Sequence, residues 1–333
     1  MNQSTNEKRL LTVSPSPHLR GKDTTATIMM DVLIALAPAS IWGIYVFGTR
    51  ALWMMLVCVL SCMLAEGITQ KIWHREVTTG DLSAAVTGLL LALNLPVAMP
   101  LWQAAIGCVF AIVLVKQIFG GIGKNFMNPA LAGRAFLMMA FASSMTRYTA
   151  PYDRLWFSAA DAVASATPLA SLKQGVLPDA TLLDMLLGRT GGCIGEVSTL
   201  LLLAGGLYLL CKKIISWHIP VAYLGTVAVL SLLVCRADAP RLTVMVYELL
   251  SGGLVLGAFF MATDYVTSPV TKWGKIVFGI GCGALTVLIR TFGGYPEGVS
   301  FSILIMNALV WYLDNAFRPR VFGKQKGKVA KNG

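Results

Sequence analysis

Ten apolar segments recur along this chain of 333 residues, at about 28–47, 51–69, 81–95, 101–119, 129–145, 194–215, 219–235, 247–262, 275–290 and 299–316. Several approach the ~20 apolar residues that cross a bilayer core. Only 13% of the residues are charged and the mean hydropathy is +0.69. A soluble globular chain carries roughly 25% charge, and a disordered one needs low hydrophobicity. Both classes are therefore excluded, and an all-α polytopic membrane protein with about ten transmembrane helices is expected. The seven cysteines form no CxxC pair and lie almost entirely in or beside apolar stretches. They read as small buried hydrophobes, with no metal site expected from them.

Charge sets the orientation. With a cytoplasmic N-terminus, ten crossings return the C-terminus to the same side. Nineteen of the 27 Lys and Arg then face the cytoplasm and eight face outward, as the positive-inside rule requires. The basic pI of 9.4 thus needs no nucleic-acid partner, and the tail suits anionic headgroups of the lipid bilayer. The organisation expected is a cytoplasmic segment 1–27 without a signal-peptide core, a first five-helix repeat 28–145, an extracytoplasmic loop 146–193, a second repeat 194–316 and a basic cytoplasmic tail 317–333.

Five crossings per half make the second half inverted relative to the first. A shift of 173 residues superposes Pro96 and Val97 on Pro269 and Val270, and Phe119-Gly120-Gly121 on Phe292-Gly293-Gly294. Eight identities fall in the 42 positions from 96 to 137. Inverted repeats with broken helices place binding sites near the repeat interface.

Ionisable groups inside spans are costly and mark function by default. Asp31, Glu66 and Asp314 lie near segment ends and read as interfacial charges or caps. Asp264, in FMATDYVTSP, and Glu297, in FGGYPEG, sit in broken stretches where backbone oxygens are exposed. They are the ion-coupling candidates, against the plainer reading that each caps Lys272, Lys275 or Arg290. The stretch FGGIGKNFMNPALAGRAF (119–136) divides between tight helix packing and a ligand site. Its asparagines offer the donors and acceptors that suit a heterocycle edge. DAVASATPLA (161–170), read unaided, is a turn with a helix cap.

Taken in order, SPHLRGKDTTATIMMDVLIALAP (16–38), GDLSAAVTGLLLALNLP (80–96), GGIGKNFMNPALAGRAFL (120–137), GEVS (195–198), FMATDYVTSP (260–269) and IRTFGGYPEGVSFSILIMN (289–307) resemble one family. It is that of the D subunits of Rnf electron-transport complexes, relatives of the B subunits of sodium-pumping NADH:quinone oxidoreductases. The resemblance implies that Asp161, Ser165, Ala166 and Thr167 form a flavinylation motif, with FMN joined through its phosphate to the Thr167 hydroxyl by a separate flavin transferase. The chain departs from the family at Ala164, where Ser or Thr is usual, which puts transferase recognition in doubt while leaving the acceptor hydroxyl in place. A second, noncovalent flavin, riboflavin, is implied toward the cytoplasm, with Asn125 and Asn128 as contacts and Lys124 and Arg134 as weaker ones. The partners implied are the A, B, C, E and FMN-bearing G components of an Rnf-type complex. That complex, in the bacterial inner membrane, would couple ferredoxin oxidation and NAD reduction to export of sodium or protons. A solute channel with inverted repeats and a cofactor-free structural component are the competing classes.

Overall fold

The fold begins at a reciprocal cap. In the computed structural model, which describes residues 24–152, 167–196, 198–234, 239–294 and 297–318, the Thr24 hydroxyl accepts from the Thr27 N–H while the Thr27 hydroxyl accepts from the Thr24 N–H. This starts α1 (Thr25–Phe47), and Gly48 at φ 79° turns the chain directly into α2 (Thr49–Ile72). A short 3-10 turn (Thr79–Asp81) leads to α3 (Ser83–Leu93). α4 (Leu101–Phe110) widens into a π-helix over Ala111–Gln117, and α5 (Pro129–Ala140) and α6 (Ala142–Met145) follow. α7 (Pro168–Lys173) and α8 (Leu182–Leu187) are short, and a 3-10 turn (Ile194–Glu196) precedes α9 (Thr199–Cys211). Then come α10 (His218–Leu233), α11 (Arg241–Leu250) and α12 (Leu254–Leu256), the last continuing as a π-helix over Gly257–Met261. α13 (Lys272–Phe292) and α14 (Val299–Ala316) complete the order. Among the described residues there is no β-strand.

Four helices, α1, α2, α13 and α14, are long and apolar enough to cross a membrane. A fifth span is available if α11 and the Leu254–Met261 helix count as one, bent by 60°. That bend has a local cause: Gly252 and Gly253 sit at φ 68° and 62°, the left-handed region that glycine enters at no steric cost. The other apolar helices are 10–17 residues long. The expected single segment 129–145 is divided at Phe141, and 247–262 is divided at the glycine pair.

Only 28–39% of each long span is buried, and the outward faces carry residues such as Ile41, Leu64 and Trp311. Such apolar surface is untenable in water and suits lipid. The chain is a multi-pass membrane protein.

Inside, α2 packs on α3 and α4, α4 on α5, α10 on α13, α13 on α14, α1 on α9 and α5 on α14. Glycines permit the closest approaches. A Cβ at Gly88 of α3 would lie 2.7 Å from both the Cys58 carbonyl oxygen and Val59 Cα of α2, and one at Gly205 of α9 would overlap the Ala35 carbonyl of α1. Within the described part of 146–193, α7 and α8 pack on α11 around Leu172, Met185, Val244 and Tyr247.

Candidate functional site

Two polar regions within this apolar frame hold most of the candidate residues that the structure describes.

The first is a cavity of about 410 Å³ lined by α1, α3, the π-turns that follow α4 and α12, the start of α5 and the end of α9. Its wall is mostly apolar, with Phe259 and Phe260 on one side. Ser83, Lys116, Asn125, Asn128 and Asp264 bring polar atoms to it. The glycine-rich approach to α5 has a backbone reason: Gly120, Gly121 and Gly123 all have positive φ, at 114°, 90° and 85°. This turn carries Asn125 and Asn128 to the wall, both buried.

Asn128 does three things at once. Its Oδ1 accepts from the N–H groups of Ala130 and Leu131 (3.0 and 3.3 Å), capping α5, with Pro129 at the first helical position. Its Nδ2 donates to the Met261 carbonyl at 3.2 Å, where the π-turn after α12 ends. Asn125 Nδ2 donates to the Met127 carbonyl at 3.3 Å. Asp264, half-buried, accepts from the Thr267 hydroxyl at 3.0 Å. Lys124 stands apart: it is exposed, its stem lies over Gly120, and it does not line the cavity.

The second region is built on Arg134, from α5. It is 3% exposed and its guanidinium is fully engaged on one side: Nη1 donates to Asn94 Oδ1 (3.0 Å) and Ser300 Oγ (2.9 Å), while Nη2 forms an ion pair with Glu297. Cys193, Glu196 and Tyr148 close around the pair. Tyr148 donates to Glu297 Oε1 at 3.4 Å, and the Cys193 N–H donates to Glu196 Oε2 at 3.4 Å. Arg134 thus belongs to a different site from Asn125 and Asn128, and Glu297 lies apart from Asp264. The partner of Glu297 is Arg134, not Lys272, Lys275 or Arg290. One ligand atom each from Cys193, Glu196 and Glu297 falls within 4.8 Å of the others, with Arg134 supplying positive charge beside them.

Thr167 borders this region. It shares a recess with Glu196, Glu297, Ser251 and Gly252 whose volume, about 10 Å³, is that of a single water. The Thr167 hydroxyl caps α7 by accepting from the Ala170 N–H at 3.2 Å, with Pro168 following at the first helical position. The helix cap read from the sequence is therefore present. Asp161, Ser165 and Ala166 lie outside the described residues.

Glu66 corrects an expectation. Far from an interfacial charge, it is 1% exposed and paired with Lys116 at 2.7 Å. Sequence reasoning missed this pair. Its signal was present, since Lys116 stands in the apolar run AIVLVKQIF, and a cation there must find a partner. Asp31 pairs with exposed Lys212, and Asp314 accepts from the Val270 N–H.

A sequence profile described as the NQR2, RnfD, RnfE family matches residues 12–323. Among relatives, an Acetobacterium woodii protein, named as the D component of a Na(+)-translocating ferredoxin:NAD(+) oxidoreductase complex, is 48% identical, covering 96% of this chain and 97% of its own. A Clostridium ljungdahlii protein, named as the D component of a proton-translocating ferredoxin:NAD(+) oxidoreductase complex, is 42% identical, covering 96% and 98%. An Escherichia coli protein, named as the D component of an ion-translocating oxidoreductase complex, is 35% identical, covering 95% and 99%.

Proposed function

The chain belongs to the NQR2, RnfD, RnfE family, and from that membership we propose that it is the membrane component of an Rnf-type complex coupling electron transfer between ferredoxin and NAD to movement of sodium or protons. In this reading it carries covalent FMN on Thr167 and a noncovalent riboflavin in the large cavity. It assembles with the A, B, C, E and G components of the complex, and a flavin transferase matures it.

The observation that carries the proposal is the cavity. Its volume of about 410 Å³ lies within the ~300–1,000 Å³ of small-molecule sites, which are mostly apolar with a few placed polar groups. Phe259 and Phe260 offer flat apolar surface. Asn125 and Asn128 offer amides, though Asn128 has already committed its Oδ1 to the α5 cap. The residues present therefore fit a flavin ring. Bound there, a flavin supplies one- and two-electron transfer, and the protein supplies orientation, electrostatics and seclusion.

At Thr167 the fit is partial. The hydroxyl is available in type, but its recess takes about one water, so it cannot enclose a ring. An ester at this oxygen also changes the acceptor seen by the Ala170 N–H. The residues support attachment at Thr167 while leaving the ring outside the recess.

Ten crossings with both termini cytoplasmic complete the proposal, and its two-repeat part has support in the packing. The 173-residue shift carries α1 onto α9, α3 onto the Leu254–Met261 helix, α4 onto α13 and α5 onto α14. The contacts follow the same exchange: α4 meets α5 as α13 meets α14, and α2 meets α4 as α10 meets α13. The self-related pairs, α1 with α9 and α5 with α14, form the seam.

The test is flavin analysis of the purified complex. In-gel fluorescence of the denatured chain reports covalent FMN, and acid extraction reports riboflavin. A chain with neither returns the reading to a channel or a structural component.

A further inference from the structure

A line of hydrogen-bonded groups runs from the surface to a carboxylate in the core. Asp81, half-buried beside exposed Gly80, accepts through Oδ1 from the Ser83 hydroxyl at 2.6 Å and from its N–H at 2.8 Å. Ser83 Oγ accepts from Lys116 Nζ at 2.6 Å, and Lys116 Nζ reaches Glu66 Oε1 at 2.7 Å. Gln117 Nε2 donates to the same Oε1 at 2.7 Å. The other oxygen of Glu66, Oε2, has no hydrogen-bond partner, although the residue is 1% exposed. Consecutive helical residues do not ordinarily face the same neighbour, yet Lys116 and Gln117 converge on Glu66 from within the π-helix of Ala111–Gln117, and such widened turns are frequent at functional sites.

Lys116 has a second face. Its side chain lines the large cavity, as does Ser83. An ammonium has three donors, and among the described residues Glu66 and Ser83 engage two.

We propose that Asp81, Ser83, Lys116 and Glu66 form a proton path, and that Glu66 takes up one proton when a negative charge enters the large cavity. This rests on the flavin reading of that cavity. A flavin held there would become negative on taking up an electron, and Lys116 is the cation that lines the cavity among the described residues. Glu66 then loses its counter-charge, and an uncompensated buried carboxylate is costly. One solvent proton restores the balance. Lys116 first passes a proton to Glu66 and becomes an amine. The Ser83 hydroxyl, turned from Asp81 toward Lys116, then gives its proton to that amine and takes one from Asp81, which solvent has protonated, so only O–H and N–H bonds change. Afterwards Lys116 is again an ammonium, Glu66 is a neutral acid and the buried charge total is what it was. Removing the electron reverses the sequence.

A proton suits the site better than a metal cation. Hard cations take about six or more oxygen ligands. The groups facing Glu66 are Lys116, Gln117 and the thiol of Cys62. Beyond these, Arg75 donates to the Gln117 carbonyl, and Asp264 faces Lys116 from across the cavity.

The test uses the purified complex. The oxidised-to-reduced ratio of its acid-extractable flavin is followed against pH at fixed sodium, and against sodium at fixed pH. Each linked proton changes that equilibrium about tenfold per pH unit. Glu66→Gln is expected to lose one proton from the pH slope, with flavin content and sodium response unchanged. Asp81→Asn should keep the slope but slow proton uptake about tenfold or more. If Glu66→Gln does not assemble, infrared difference spectra of the unmodified complex still decide: a protonated-carboxyl band must appear on reduction, and its absence overturns the proposal. An unchanged slope in Glu66→Gln, or dependence on sodium instead of pH, overturns it too. A complex without extractable flavin overturns the cavity reading itself, which the extraction alone distinguishes.

Discussion

A hydroxyl and two amides carry the flavin reading, and each also has a structural duty that a mutation disturbs. Thr167 caps α7, so Thr167→Val removes both the acceptor oxygen and a cap worth about 1 kcal/mol. Covalent fluorescence on the denatured chain should vanish while membrane insertion and assembly persist, because a six-residue helix is a small part of the fold. Thr167→Ser keeps the hydroxyl and should keep both. Fluorescence retained by Thr167→Val would move the attachment to Ser165. For the cavity, Asn128→Leu is a poor probe alone, since it uncaps α5 and frees two N–H groups. Asn128→Asp retains the capping oxygen, loses the amide donor and sets a carboxylate oxygen against the Met261 carbonyl. Combined with Asn125→Leu, it should lower extractable riboflavin severalfold without touching covalent FMN. An unchanged riboflavin-to-protein ratio would contradict the assignment. Arg134 and Glu297 behave differently under mutation. Breaking a buried pair costs about 3–5 kcal/mol, so Glu297→Gln perturbs folding before it reports on ions.

At the scale of elements, glycines and breaks decide what the apolar pattern leaves open. Gly88 brings α3 to 2.7 Å from the backbone of α2, measured to the Cβ it lacks. Backbone cannot yield as a side-chain tip can, so Gly88→Val should cost about 1–3 kcal/mol by overpacking. Thermal unfolding of the complex in detergent should register it as a lower midpoint, whereas Gly225→Ala, with open space beside it, should be neutral. The ten apolar segments were legible because burial and lipid exposure both select apolar residues, and every one of them holds a helix. Their geometry was not. A π-turn has the same composition as an α-turn, so nothing in AIVLVKQ announces that Lys116 and Gln117 converge on Glu66. The 60° bend before Leu254 was half legible, as the pair Gly252-Gly253 in an apolar run. Arg134 parts from the asparagines for a related reason: it lies within the same stretch in sequence, yet α5 turns it toward the opposite polar region.

For the whole molecule, the placement of the cavity matters more than any one wall residue. It lies where α1 meets α9 and where the ends of α3 and the Leu254–Met261 helix approach, so both halves of the chain contribute to it. A charge change there acts on both halves at once, and a two-state element biased by a bound group is what coupling requires. Asp264 is the acidic residue of the wall, held by Thr267 at the end of the broken helix. It has no ion-pair partner among the described residues, in contrast to Glu297. Its neutralisation therefore leaves no orphaned cation, and Asp264→Asn should fold. If Asp264 takes part in ion movement, ferredoxin-driven NAD reduction in inverted vesicles should continue while ion uptake per NADH formed falls severalfold. Flavin content should be unchanged. Both activities are measured in the same vesicles, because a leak would lower uptake without involving this residue, and a leak is recognised by collapse of an imposed gradient. Equal loss of both activities, or loss of neither, would make Asp264 a wall residue that shapes the cavity and leaves the charge balance to Glu66 and Lys116.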